Sequence, residues 1–180
     1  MTEIETRKAV NKNGCIKLIN SDRHNCFGCS PKNDSGLQME FYTNEKVDMV
    51  VSWFSVPSRF CGWSNVVHGG IVSTMLDEAM GWGGLVILKK LILSKTLNVE
   101  FKSPVFTDTG IRVEGSVLEV KGEKKAVMEG RIYDGNDNIC AQSSSLVSLF
   151  TVESIRKMGV VDEGMLNDMD LITNFVSSIK

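Results

Sequence analysis

Val67-His68-Gly69-Gly70-Ile71-Val72-Ser73-Thr74-Met75-Leu76-Asp77-Glu78-Ala79-Met80-Gly81-Trp82 is the stretch on which the fold turns. From Gly70 to about Leu88, the apolar residues Ile71, Val72, Met75, Leu76, Ala79, Met80 and Trp82 cover most of a helical wheel. A helix apolar on nearly every side belongs at the centre of a protein. The spacing therefore predicts one long buried helix. Asp77 and Glu78 interrupt it and are the only acids between Asp48 and Glu100. An unpaired buried carboxylate is costly, or is held neutral by a raised pKa. Adjacent helical residues point about 100° apart, so the two carboxylates do not make a matched acid/base pair. One is expected to face a cavity and the other a structural partner or water.

On the amino-terminal side, residues 21–36 are rich in turn formers and read as a structured loop. Leu37 to Thr43 and Val47 to Val56 read as strands joined through Asn44 and Glu45. On the carboxyl-terminal side four strand-like segments follow. The first, Leu93 to Phe101, alternates with period two and is interrupted at Lys95. Ile111 to Val120 is the second; Lys125 to Tyr133 and Ile139 to Val152 flank a hairpin loop at 134–138. Met165 to Phe175 returns to a helical pattern, and residues 1–20 suit a short helix or arm. A single apolar helix among antiparallel strands is buried if the sheet curls around it. The expected class is α+β, divided as 1–36 arm and loop, 37–152 main domain, and 153–180 helical tail.

The composition agrees with one globular domain: 180 residues, 42% hydrophobic and 23% charged. Twenty basic and 22 acidic residues leave a formal charge of −2, which gives no footprint for nucleic acid. The longest apolar run, Met80 to Leu88, is too short to span a bilayer. The first twenty residues carry no secretory core, and the five cysteines are an odd number. Both features point to reduced thiols in the cytoplasm.

Chemistry concentrates at the helix. Gly69 and Gly70 stand at its amino terminus, where backbone amides lack partners and carry the positive end of the dipole. Glycine lets a ligand carbonyl come close to such an amide, a ready oxyanion donor. The same residues also read as a plain turn, and Asp77 as a satisfied core acid. Seven residues separate Gly70 from Asp77, about 10 Å along a helix at 1.5 Å per residue. A reacting carbonyl must lie about 3 Å from both groups, so one chain cannot supply both. Two antiparallel helices in a dimer could.

Other constellations are weaker. Cys26-x-x-Cys29, with His24 two residues before it, is half of a zinc knuckle, but no second Cys-x-x-Cys completes four ligands. A packed loop is the favoured reading, and neither metal nor cofactor is expected. No Gly-x-Ser-x-Gly elbow is present, and His68 reads as ordering the loop before the helix. Gly81, Gly83 and Gly84 do not form a nucleotide-binding pattern. Trp53, Trp63 and Trp82 read as core and interface.

His68-Gly69-Gly70, six residues, then Asp77-Glu78-Ala79-Met80-Gly81-Trp82 resembles the hot-dog-fold acyl-CoA thioesterases of the PaaI/YigI-like type. Cys26 to Leu37 is similar to the loop before the first strand of that family, and Ser94 to Val105 to its strand after the helix. The resemblance covers roughly residues 24–150. It implies a long helix wrapped by a curved antiparallel sheet, a homodimer with a continuous sheet, and, commonly, a homotetramer of two dimers. It implies acyl-CoA as substrate, with Asp77 as general base or nucleophile, Gly70 as the carbonyl-polarising amide and Ser94 helping to hold the attacking water. Asn65, His68 and Gly69 are the substrate-binding candidates beside them. Gly62 stands where many relatives carry an asparagine, which leaves the backbone amide more of the task. A hydratase or dehydratase of carrier-bound acyl chains and a non-catalytic acyl-thioester binder are the other classes in view.

Overall fold

The central helix is defined at both ends by backbone conformation. His68 is extended (φ −59°, ψ 134°) and caps α1 (Gly69–Ile87), its side chain accepting from the Gly70 amide. The helix ends before Lys89, which adopts φ 54°, a left-handed conformation that cannot continue it. These bounds agree with the pattern read from 70 to 88. The computed structural model describes residues 12–179; the part of the expected amino-terminal arm over residues 1–11 lies outside the described residues.

Before α1 come β1 (Cys15–Lys17), β2 (Tyr42–Asn44), β3 (Met49–Ser55) and the small hairpin β4 (Cys61–Trp63) and β5 (Val66–Val67). After it come β6 (Leu91–Ser94), β7 (Asn98–Phe101), β8 (Gly110–Val120), β9 (Lys125–Tyr133) and β10 (Ile139–Phe150). Two helices follow, α2 (Val152–Met158) and α3 (Glu163–Ser177). The strands form an eight-stranded sheet in the order β1-β2-β3-β8-β9-β10-β6, with β7 also on β10 and every pairing antiparallel.

α1 lies against β3, β6, β8, β9 and β10. β3 and β6 are four strand positions apart, about 19 Å at 4.8 Å per strand, whereas a helix is about 10 Å across. One helix can touch both only if the sheet curls around it. The curl is helped by Gly115 on β8 and its register partner Gly130 on β9. A Cβ on Gly115 would stand 2.2 Å from the Ala79 carbonyl oxygen, so the α1 backbone rests directly on the sheet there. Met75, Leu76, Ala79 and Met80 are wholly buried, and each large side chain among them contributes about 1.5–3 kcal/mol of transfer free energy. Trp82 stacks on Phe41 with ring centres 5.1 Å apart.

Three segments differ from the periodicity reading. Leu37 to Phe41 lies outside the sheet: Gln38 adopts φ 52°, a left-handed conformation, and the Leu37 and Met39 amides donate to the Phe27 and Gly28 carbonyls (2.8 and 2.9 Å) of the preceding loop. The single strand expected over 93–101 is two. β6 and β7 pair with different parts of β10, and at the break the Lys95 and Thr96 amides share the Leu146 carbonyl. Finally, α1 is not covered on every side. Gly70, Thr74, Asp77 and Gly81, spaced three and four residues apart, form a stripe that the single chain leaves partly or fully exposed. No helix among the described residues is long and apolar enough to cross a membrane.

Candidate active site

Asp77 lies halfway along the open stripe of α1, and β6 brings Ser94 to it. The Ser94 hydroxyl donates to Asp77 Oδ1 at 2.7 Å. A hydrogen bond to a carboxylate both orients it and favours its charged form. The pair opens onto a cavity of about 310 Å³. One turn deeper, Gly81, Trp82 and Leu85 continue the α1 wall, and Leu91, Ile92 and Leu93 of β6 line it beside Ser94. The result is an apolar slot with a carboxylate–hydroxyl pair at one side.

Glu78 faces the same cavity from its other side, against the Cys26–Cys29 loop. Cys26 Sγ stands 3.6 and 3.7 Å from the two Glu78 carboxylate oxygens. Burial pushes the Glu78 carboxyl up to about 7, with the negative charge of Cys26 adding to the effect. Cys26 is pulled down to about 5, first by the Cys29 thiol donating to it, against burial, and further by the Cys29 and Gly28 amides. Cys29 is pushed up, by that same thiol pairing and by burial. The two acids thus diverge as the helical geometry requires: Asp77 toward a strand hydroxyl, Glu78 toward two sulfurs.

The second group of expected residues collects at the amino end of α1. The Gly70 amide donates to His68 Nδ1 at 2.9 Å, so His68 orders the helix start by capping it. Gly69 and Gly70 are exposed. Asn65 occupies the turn between β4 and β5, where its carbonyl accepts from the Thr107 amide at 2.8 Å. A side chain at position 62 would put its Cβ 3.2 Å from the His68 Cα, which is the steric counterpart of glycine standing there. The structure therefore unites Asp77 with Ser94 and His68 with Gly70, and holds Asn65 in the hairpin turn just before them. It leaves the two groups about two helical turns apart on one helix.

The carboxyl-terminal helix is the part of the site that local pattern does not reveal. Met165, Asp168, Met169 and Ile172 of α3 close one side of the cavity. Asp168 Oδ1 stands 3.7 Å from Arg23 Nη1, while its Oδ2 is buried with no hydrogen-bond partner among the described residues. The helical pattern over Met165 to Phe175 was legible; the surface that helix would cover was not.

Residues 64–141, which hold α1 and the strands that follow as far as the start of β10, match the sequence model of the Thioesterase superfamily. An uncharacterized protein of Schizosaccharomyces pombe is 31% identical over 109 residues, 59% of this chain and 57% of that protein. This chain thus spans little more than half the length of that curated relative. Among solved structures, a thioesterase from Haemophilus influenzae superposes with a TM-score of 0.60 at 19% identity, over 68% of this chain and 85% of its own. A hypothetical thioesterase from Streptococcus pneumoniae, solved with coenzyme A, gives 0.54 at 15% identity, over 58% and 80%. Sequence match and architecture converge on the helix that carries Asp77 and on the sheet curled around it: residues 64–141 match the Thioesterase superfamily, and the chain has the hot-dog fold of these solved thioesterases.

Proposed function

We propose that this protein hydrolyses acyl-CoA thioesters to a carboxylic acid and free coenzyme A, at a site shared between two subunits. The observation that carries the reading is the Asp77–Ser94 pair, 2.7 Å apart on the wall of an apolar cavity. The match of residues 64–141 to the Thioesterase superfamily supports thioester chemistry, and the coenzyme A held by the Streptococcus pneumoniae protein supports the thiol half of the substrate. The acyl chain lies in the slot beside Leu85, Leu91 and Ile92. Asp77 drives the attack on the carbonyl carbon, either by taking the proton of a water or through its own oxygen, which forms an anhydride that water then hydrolyses to restore the carboxylate. Ser94 holds the carboxylate in position. The thiolate leaves and is protonated; water has been split between acid and thiol. A Gly70 amide polarises the carbonyl, and to do so it exchanges its bond to His68 Nδ1 for one to the substrate oxygen.

That amide comes from the partner subunit. Within one chain Gly70 is about 10 Å from Asp77 along the helix. The open side of α1 is suited to a second copy: Phe101, 56% exposed, lies over Gly69 at the helix start, Trp63 of the preceding hairpin is 85% exposed, and Leu93 beside the cavity 52%. Apolar side chains clustered beside an open helix stripe and a sheet edge mark an association surface. The reading needs no cofactor, and five free cysteines among the described residues suit the reducing cytoplasm.

The test is a panel of short, medium, long and aryl acyl-CoA esters followed by thiol release, with sedimentation of the same sample. Turnover of at least one chain class by a dimer or higher assembly is expected. An active monomer overturns the shared site, and formation of enoyl product without thiol release overturns hydrolysis.

A further inference from the structure

We propose that Cys26, Cys29 and Glu78 form a binding site for one thiophilic divalent cation of the zinc class, which fastens the loop at 26–29 to the central helix. Among the described residues these three are the one trio of Cys, His, Asp or Glu whose ligand atoms all lie within 4.8 Å of one another. The sequence offers only two of the ligands in a recognisable spacing. The third comes from α1, 52 residues away.

Geometry favours a cation over a packed loop. In a tetrahedral zinc site with sulfur at 2.3 Å and oxygen at 2.0 Å, the sulfur–oxygen edge is about 3.5 Å; Cys26 Sγ stands 3.6 Å from Glu78 Oε2. The loop is built around that carboxylate. A Cβ on Gly28 would fall 2.4 Å from Glu78 Oε2, so the turn between the cysteines closes directly onto the carboxylate. The loop backbone is already committed: Ser30 N bonds to Cys26 O, Leu37 N to Phe27 O and Met39 N to Gly28 O, at 3.2, 2.8 and 2.9 Å. Both sulfurs are thus presented by a formed scaffold. A disulfide between the cysteines would use the sulfurs and leave a largely buried glutamate facing no donor. A cation satisfies all three groups together.

The metal type follows from the donors. Two thiolates and one carboxylate suit zinc, and also cobalt(II) as a probe, better than calcium or magnesium, which take oxygen ligands. His24 lines the same cavity but is engaged elsewhere, its Nδ1 accepting from the Cys26 amide and its Nε2 bonded to Asn20 Oδ1. The fourth coordination position therefore faces the cavity, where a water or another ligand completes the tetrahedron. Binding forms two metal–sulfur bonds and one metal–oxygen bond, and the thiol protons pass to the buffer.

The experiment reads the metal directly and is independent of thioesterase activity. The full chain, reduced and stripped with chelator, is titrated with cobalt(II) and then with zinc. One equivalent of cobalt is expected to produce thiolate-to-metal charge-transfer absorption with the intense visible bands of a tetrahedral ion, and one equivalent of zinc to abolish them. X-ray absorption on the zinc-loaded wild-type protein is expected to find two sulfurs near 2.3 Å and the remainder oxygen near 2.0 Å; this measurement needs no variant to fold. Glu78→Gln should weaken zinc binding at least tenfold, and Cys26→Ser and Cys29→Ser should each remove the charge-transfer band. The proposal is overturned if the reduced protein takes up no metal, if the sulfur count is other than two, or if Glu78→Gln leaves affinity unchanged. Failure to bind metal with reversible formation of a Cys26–Cys29 disulfide would instead make the pair a redox couple.

Discussion

Mixing two inactive variants should restore activity, because the groups they lack belong to different subunits of each site. Asp77→Asn keeps the helix start and its amide but has no carboxylate at the cavity. Gly70→Val keeps the carboxylate; its new Cβ would stand 3.1 Å from His68 Nδ1, and the branched side chain covers the amide. Each parent should lose at least about 10²-fold in turnover. In a hybrid dimer, one site combines the intact Gly70 end of the first chain with the intact Asp77 of the second, and the other site carries both defects. Random assortment makes about half of all dimers hybrid, so about a quarter of wild-type activity should return. The assay is thiol release from acyl-CoA with co-expressed, differently tagged chains, and hybrids are verified by mass. Cys61 is exposed, so enzyme blanks are subtracted when a thiol reagent is the reporter. Thermal melting of each parent checks that it folds. Verified hybrids no more active than their parents would refute the argument from helix length.

The remaining expectations concern single residues. Asp77→Asn should abolish turnover while substrate still protects the protein from heat, whereas Glu78→Gln, facing the sulfurs, should cost far less; the reverse order of activities contradicts the assignment of the two acids. Ser94→Ala removes the 2.7 Å bond to Asp77, about 1.5 kcal/mol for a hydrogen bond to a charged group, and should lower kcat/KM about tenfold without changing the melting temperature. Gly115→Ala presses a methyl group into the Ala79 carbonyl, 2.2 Å away; overpacking of this kind costs about 1–3 kcal/mol, and a urea midpoint equal to wild type would show that α1 does not rest on the sheet there.

Much of this protein is legible from short-range pattern alone. The run from Ile71 to Leu88 announces a central helix because its apolar residues leave almost no polar face, and His68 with two glycines announces where it begins. The period-two strands on either side then leave few ways to bury it, and a curled antiparallel sheet is the one that forms. The divergence of Asp77 and Glu78 also follows from helical geometry, since neighbours on a helix cannot point the same way. What each carboxylate meets does not. Ser94 lies 17 residues from Asp77 and Cys26 lies 52 from Glu78, and such partners are chosen by strand register and by how closely the loop can approach the helix. The break at Lys95 is a similar case: the alternation shows an interruption, but only pairing with β10 makes it two strands. Likewise the pattern of α3 announces a helix without naming the cavity it closes. Periodicity records which side of an element avoids water, a property each segment carries by itself. Juxtaposition across the chain exists only once the whole sheet has curled around α1, and the chemistry of the site is made of such juxtapositions.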